Sequence, residues 1–247
     1  MSTPTRRPGQ RGAPLPYKLI AGVEPCHGGW LVASGKLQGI QLHPNQPEVM
    51  PTFTDVLDYK PAFQVIALHM PIGLLTEPRQ GGRDCDRQAR RLLGWPRSGA
   101  ILSPPVRPAL AAKTYEQAYR VGGGINAVTW LQMRWIREVD AEIAPYWQRT
   151  AFEVHPELSF FQLNDDEPVS YGKRTALGQK ERRVLLEKRM PGIERVIDFK
   201  LKGVKPWQLL DVAADLWTAR RIVSRAIARL PEDPVWDDEG LRMEIIR

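Results

Sequence analysis

The chain has 247 residues, 43% of them hydrophobic, which is enough to bury a sizeable core. Its net charge of +7 favours an anionic partner, and nucleic acid ahead of a membrane, because no basic amphipathic stretch carries a strong apolar face. No segment has the roughly 18 consecutive apolar residues of a membrane span and no signal-peptide core is recognisable, so we expect a cytoplasmic protein. Cys26 and Cys85 form no C-x-x-C pair, which excludes a zinc knuckle or a disulfide framework.

The first 16 residues differ in composition from the rest. They hold three arginines, no acidic residue and several prolines and glycines, a pattern typical of a disordered basic tail. We predict that residues 17–247 form a single domain.

Three consecutive strands are predicted at the start of this domain. Residues 18–24 are largely apolar, residues 30–33 follow a Gly28-Gly29 turn, and residues 37–42 follow a short turn at residues 34–36. Strands joined by such short turns form an antiparallel meander.

Further strands and helices complete the predicted sheet. Residues 63–68 are almost wholly apolar, as in a strand covered on both faces, and residues 150–158 read as a strand that runs into a turn. Helices are predicted at residues 52–60, 83–93, 115–120, 126–143, 179–188 and 206–229. The predicted fold class is therefore α/β, with a mixed sheet of an antiparallel three-strand meander plus parallel strands, flanked by helices.

Acidic residues and histidines stand at the predicted strand ends, where sites collect in such sheets. Glu24 ends the first strand, and His69 follows the strand at residues 63–68. Asp211 and Asp215 share one face of the last predicted helix, although like charges at this spacing repel each other. The end of the strand at residues 150–158 carries Glu153, His155 and Glu157.

Carboxylates that converge from separate elements suit a hard divalent cation, and such a cluster can serve phosphoryl displacement. Ordinary structural roles stay open for the same residues. Glu24 could be a solvated turn residue. Asp211 could belong to an exposed acidic helix face, and His155 could be a hydrogen-bonded histidine in a turn.

Six motifs, in widely separated parts of the chain, together resemble a bacterial and archaeal family of unknown function that is predicted to contain nucleases with a ribonuclease H-like fold. The motifs are RDCDRQARRLLG (83–94), SPPVRPAL (103–110), IREVD (136–140), EVHPELSF (153–160), WTARRI (217–222) and GLRMEI (240–245). The resemblance extends from Leu19 to Ile246 and implies a five-stranded mixed sheet with acids gathered around a divalent metal.

The resemblance also assigns individual positions. Glu24 stands where the family motif GVDGCxGGW has the aspartate of the first strand, and Glu153, His155, Glu157 and Asp211 match the family as well. His69 replaces the aspartate of the family motif IDIPIGL. Because imidazole favours softer transition metals than Mg²⁺, this replacement would weaken a Mg²⁺ site or change its metal preference.

The resulting hypothesis is a metal-dependent nuclease that hydrolyses phosphodiester bonds with Mg²⁺ or Mn²⁺. Glu24, Glu153 and Asp211 would hold the metal. The catalytic set would also include His69, His155 and Glu157, with one histidine assisting proton transfer. A degraded relative that binds nucleic acid or another partner without cleavage stays open as the alternative.

Basic residues on the second predicted helix are candidates for substrate contacts. Arg83, Arg87 and Arg90 recur at helical spacing, and contacts of this kind to phosphates give affinity with little sequence preference. A solvated charged face interleaved with Asp84 and Asp86 is the alternative. The sequence does not define the oligomeric state.

Overall fold

The computed structural model describes residues 16–247, so the predicted tail lies outside the described residues except for Pro16. The main sheet has six strands in the order β3-β2-β1-β5-β6, with β4 beside β2. The strands are β1 (Lys18–Cys26), β2 (Gly29–Gln38), β3 (Gln41–Pro44), β4 (Glu48–Met50), β5 (Val65–Leu68) and β6 (Ala151–Glu153), and a separate hairpin pairs β7 (Arg229–Trp236) with β8 (Arg242–Ile246). The helices are α1 (Phe53–Leu57), α2 (Asp84–Leu93), α3 (Tyr115–Val121), α4 (Ala127–Glu142), α5 (Pro156–Leu163), α6 (Ala176–Arg189), α7 (Glu194–Ile197) and α8 (Pro206–Ser224).

The sheet is mixed and has helices on both faces, as predicted. β1 pairs antiparallel with β2 and parallel with β5, and β5 pairs parallel with β6. Successive side chains of a strand point to opposite faces. Ile20 accordingly joins the core beneath α5, α6 and α8, whereas Leu19 and Ala21 join the core beneath α1 and α4. Glu24 lies four residues after Ile20 on the same strand, so its side chain points to the same face of the sheet, toward α8.

The turn predicted at residues 34–36, between the second and third predicted strands, was wrong. β2 runs without a break through Ser34, Gly35 and Lys36, because the backbone of all three residues pairs with β1. The chain reverses instead at Gly39, whose φ of 58° is a conformation that glycine adopts at little cost.

Two other predicted boundaries were also wrong. Residues 150–158 contain only the three-residue β6, because Pro156 occupies the first turn of α5, where its missing N–H costs nothing. The last long helix ends at Ser224, and Arg229 already belongs to β7. The sequence reasoning missed β4, α5, α7 and the β7–β8 hairpin. Among the described residues, no helix is both long enough and apolar enough to span a bilayer.

Candidate metal centre

A single glycine lets α8 lie directly on β1. A Cβ atom on Gly22 would come within 2.4 Å of both the Leu216 nitrogen and the Val212 oxygen, so no larger residue fits without moving the helix backbone. This close approach places Asp211 and Asp215, both fully buried, beside the end of β1.

Glu24 and His69 meet because the two strands that carry them are parallel and in register. Val23 pairs with Leu68, and the His69 backbone nitrogen donates to the Val23 oxygen at 2.9 Å. The next side chains are therefore neighbours, and Nδ1 of His69 lies 2.9 Å from Oε1 of Glu24.

Glu24, His69 and Asp215 form a group of potential metal ligands. One ligand atom from each lies within 4.8 Å of the others. Glu24 is 3% exposed and Asp215 is fully buried. Neither oxygen of Asp215 accepts a hydrogen bond from a donor within residues 16–247. Such oxygens are costly to bury unless something binds them.

The electrostatics of Asp215 follow from this burial. Burial raises the pKa of Asp215 well above its ordinary value, and the negative charge of the neighbouring Glu24 raises it further. Without a bound cation, the raised pKa favours a proton on Asp215. A cation that bound here would displace this proton.

Asp211 has a partial counter-charge. Its Oδ2 accepts a hydrogen bond from Nζ of Lys173 at 2.5 Å, while its Oδ1 has no partner within the described chain. Burial raises the pKa of Asp211 to about 6 although Lys173 opposes the shift. Burial acts in the opposite direction on the pKa of Lys173, but the carboxylates of Asp211 and Glu24 outweigh it, so this pKa is raised and Lys173 stays charged.

The structure separates Glu153 from this group, which corrects its prediction as a metal ligand. Nη2 of Arg83 lies 2.5 Å from Glu153 Oε1, and Nη1 lies 2.8 Å from Oε2. The Ile72 nitrogen also donates to Oε2 at 2.7 Å. Arg83 further donates to the Ile72 and Gly73 oxygens, so the pair fixes the segment that follows His69. Glu153 is thus a residue that positions this segment.

Glu157 likewise has an internal cation. Arg182 is fully buried, donates from Nη2 to Glu157 Oε1 at 2.8 Å, and packs its guanidinium over the Phe160 ring. Removal of one partner of such a pair strands a buried charge. Glu157 therefore anchors α5 to α6, and it is absent from the metal-ligand group.

His155 has a structural task at the start of α5. Its Nδ1 accepts a hydrogen bond from the Glu157 nitrogen at 3.2 Å and caps the helix. Its ring packs edge-on against that of His69 with 4.5 Å between centroids. Burial lowers the pKa of His155 well below its ordinary value, and the nearby His69 and Lys173 lower it further, so the ring is neutral at pH 7.

The cluster opens on a cleft of about 360 Å³. Its lining includes Glu24 and His69 from the cluster, His155, and the basic residues Lys173 and Arg174. Both basic groups lie over the ring of Trp207, at 4.8 Å and 5.3 Å from its centroid. The cleft thus joins buried acids to a basic rim, an arrangement that can hold a cation and an anion next to each other.

Residues 22–235 match the family described as "Protein of unknown function (DUF429)". The chain belongs to this family. A search of curated proteins and a search of solved structures each find no significant match. Membership of the DUF429 family covers most of the chain and assigns no activity to it.

In this DUF429 member, the prediction that Arg83 contacts nucleic acid was wrong. Arg83 is only 2% exposed because it precedes α2 and turns inward to Glu153 and Asp86. Arg87 pairs with Asp84 and donates to the Gly82 oxygen at 2.5 Å. Arg90 donates to the oxygens of Gly81 and Ile101, so these two arginines tie α2 to the loops around it.

Of the group Glu24, His69 and Asp215, the sequence predicted Glu24 as a metal ligand and His69 as a catalytic residue, and it did not include Asp215 among the site residues. The signal for Asp215 was its spacing of four residues from Asp211, which places both on one helix face. The sequence places Lys173 among several basic residues near the start of α6, but it carried no signal for the contact with Asp211, because a lysine in a polar loop is usually solvated.

Proposed function

We propose that the protein is a divalent-metal-dependent phosphodiesterase that acts on nucleic acid. The observation that carries this proposal is the buried group of Glu24, His69 and Asp215, in which the Asp215 oxygens accept no hydrogen bond and Glu24 and His69 line a cleft with a basic rim. A fold needs no unpaired acids in its core, so their presence favours a bound cation.

The donor set fits such a cation and indicates which kind. Two carboxylates and one imidazole match the ligands of Mn²⁺ and similar transition metals better than the all-oxygen set that Mg²⁺ prefers. Glu24, His69 and Asp215 would hold the ion, and the free Oδ1 of Asp211 adds a carboxylate oxygen close by. We therefore expect Mn²⁺ to bind more tightly than Mg²⁺.

A metal bound there would supply an activated water and charge stabilisation for a phosphodiester. The chain's own residues do the positioning. Arg83 and Glu153 fix the segment after His69, and His155 packs against the His69 ring. Lys173 and Arg174 bring positive charge to the rim, where the phosphates of a substrate would lie.

The architecture gives further support. The resemblance noted in the sequence implies a ribonuclease H-like mixed sheet with acids from strand and helix at one place. Glu24 comes from β1, Asp215 comes from α8, and β1 begins an antiparallel meander. The net charge of +7 also suits a polyanionic substrate.

The test is calorimetric titration of Mn²⁺ and Mg²⁺ into the wild-type protein and the Asp215→Asn variant. A single-stranded DNA and a single-stranded RNA are assayed for cleavage in parallel. We expect micromolar Mn²⁺ binding that weakens at least about 100-fold in the variant, since even outer-shell changes cost 10–100-fold. Metal-dependent cleavage should disappear with it, and the variant, purified identically, also controls for contaminating nucleases.

A half-buried acid on α6, Glu187, provides the matched control, because Glu187→Gln also removes one negative charge and lies outside the ligand group. This variant should bind and cleave as the wild type does. Equal Mn²⁺ affinity in the wild-type protein and the folded Asp215→Asn variant would refute the metal site.

Binding of nucleic acid without cleavage is the second candidate. It is favoured by the internal cations at Asp211, Glu153 and Glu157, which leave fewer carboxylates for metal than the sequence predicts. Salt-sensitive affinity for single strands with no turnover in Mn²⁺ would support this candidate over the enzyme.

A further inference from the structure

Lys173 reaches from the rim of the cleft to a buried acid. Its side chain is 27% exposed, while that of Asp211, 2.5 Å from its Nζ, is fully buried. The ammonium group also lies 4.8 Å from the centroid of the Trp207 ring, on the first turn of α8. The charge is thus held between the interior and the open cleft.

The loop that carries Lys173 is fixed by its own hydrogen bonds. The nitrogens of Ser170 and Tyr171 donate to the Glu181 carboxylate at 2.8 Å and 3.0 Å, and Arg182 donates to the Tyr171 oxygen at 2.8 Å. A Cβ atom on Gly178 would lie 2.1 Å from an oxygen of this loop, so α6 packs directly against it. The loop backbone that carries Lys173 is therefore held in place without a bound ligand.

The hydrogen bonds of Lys173 are only partly used. An ammonium group has three donors, and within residues 16–247 Asp211 accepts from it. A lysine that served only to neutralise Asp211 could be fully buried with it, but Lys173 lines the cleft and is partly exposed. Asp211 in turn keeps one oxygen unpartnered.

We propose that Lys173 is a built-in cation of the site, which neutralises Asp211 and binds a phosphate oxygen of the substrate, so that the site works with one metal ion where paired-metal enzymes use two. This inference rests on the proposed function. The ligand class is a phosphate or phosphodiester anion, because an ammonium group and a neighbouring divalent cation together match two negatively charged oxygens.

The experiment measures Mn²⁺ stoichiometry by calorimetry, then the affinity of the Mn²⁺-loaded protein for inorganic phosphate. The variants are Lys173→Arg and the double variant Lys173→Met/Asp211→Asn, which replaces the ion pair by a neutral pair and leaves no buried charge unpaired. We expect one Mn²⁺ per wild-type chain. Phosphate affinity should fall about 10-fold or more in the double variant and stay within about 3-fold in Lys173→Arg, since a charge-assisted hydrogen bond supplies this much.

Each other outcome counts either against the role of Lys173 or against the proposed function on which that role rests. Two Mn²⁺ ions per wild-type chain, or unchanged phosphate affinity in a double variant that retains its Mn²⁺, would overturn the role of Lys173. Absence of Mn²⁺ binding to the wild-type chain would instead overturn the proposed function, and with it the ground for this inference. Circular dichroism and urea unfolding establish that each variant is folded.

Discussion

Replacement of Gly22 by alanine tests the central feature of the site, the contact between β1 and α8. The new Cβ atom would lie 2.4 Å from two helix backbone atoms, where ordinary contacts begin at 3.4 Å, so α8 must move by the difference of about 1 Å. Overpacking of this kind costs about 1–3 kcal/mol, and no side-chain rotamer can relieve it because the obstacles are backbone. The lower unfolded-state entropy of alanine returns about 0.4–1 kcal/mol where the backbone is compatible.

We therefore expect Gly22→Ala to lower the free energy of unfolding by about 1–2 kcal/mol, measured by urea denaturation. Mn²⁺ affinity should fall as well, because Asp215 moves with α8 and binding sites tolerate displacements of only about 0.5 Å.

Gly99→Ala is the matched control, since its Cβ atom meets nothing within 4 Å and its φ lies outside the left-handed region. It should change stability by no more than about 0.5 kcal/mol. If Gly22→Ala were as stable as this control and bound Mn²⁺ equally well, the close contact would not be what holds Asp215 in place, and the reasoning would fail.

Three other predictions concern individual residues. Glu153→Gln should weaken Mn²⁺ binding in calorimetry by about 10-fold, clearly less than Asp215→Asn, because Glu153 positions the segment after His69 through Arg83 and does not touch the ion; a loss as large as that of Asp215→Asn would restore Glu153 as a ligand. His155→Ala should lower the free energy of unfolding in urea by about 1 kcal/mol, because it removes the cap of α5. His155→Asn should lower it much less, since asparagine is a good helix cap, and equal losses would contradict the capping role. Mn²⁺ affinity should rise with pH, because burial raises the pKa of Asp211 to about 6 and that of Asp215 well above its ordinary value, and protons on these groups compete with the ion; calorimetry at several pH values checks this, and a flat profile would contradict it.

The raised pKa of Asp211 also affects folding without metal. In an unfolded chain this group ionises near pH 3.8, and in the folded protein near pH 6. Between these values the folded state binds more protons than the unfolded state, so stability falls as pH rises and levels off above about 6. Fully bound Mn²⁺ should offset this loss by stabilising the ionised form.

Much of the site could be read from the sequence, because it depends on local patterns. When an apolar strand runs toward an acid or a histidine, that residue is placed near the carboxyl end of the strand. Two neighbouring parallel strands bring such residues together, as they do for Glu24 and His69. The mixed sheet followed from the same patterns. The start of α5 was missed because a proline affects the two sides of its position differently. It favours extended backbone at His155, which suggests that the strand continues, and it also fits the first turn of a helix, which is where Pro156 lies.

The charge pairs could not be read in this way, because the partners are far apart in sequence. Arg83 and Glu153 are separated by 70 positions, and Lys173 and Asp211 by 38. Their pairing depends on tertiary packing, and each residue alone resembles an ordinary surface charge. The sequence therefore overestimated the number of acids available to a metal.

The distribution of these pairs is itself an argument about the site. Burial of a carboxylate is expensive unless a cation accompanies it, and the fold supplies one for several buried acids around the cleft. The internal pairs are Arg83 with Glu153, Arg182 with Glu157 and Lys173 with Asp211. Glu24 and Asp215 have only the His69 ring and each other, so the described chain supplies less positive charge here than at any of those pairs. The fold gives its other buried acids a cation but gives none to Glu24 and Asp215. We therefore expect the missing positive charge to come from outside the chain, as a divalent cation bound at the floor of the basic cleft.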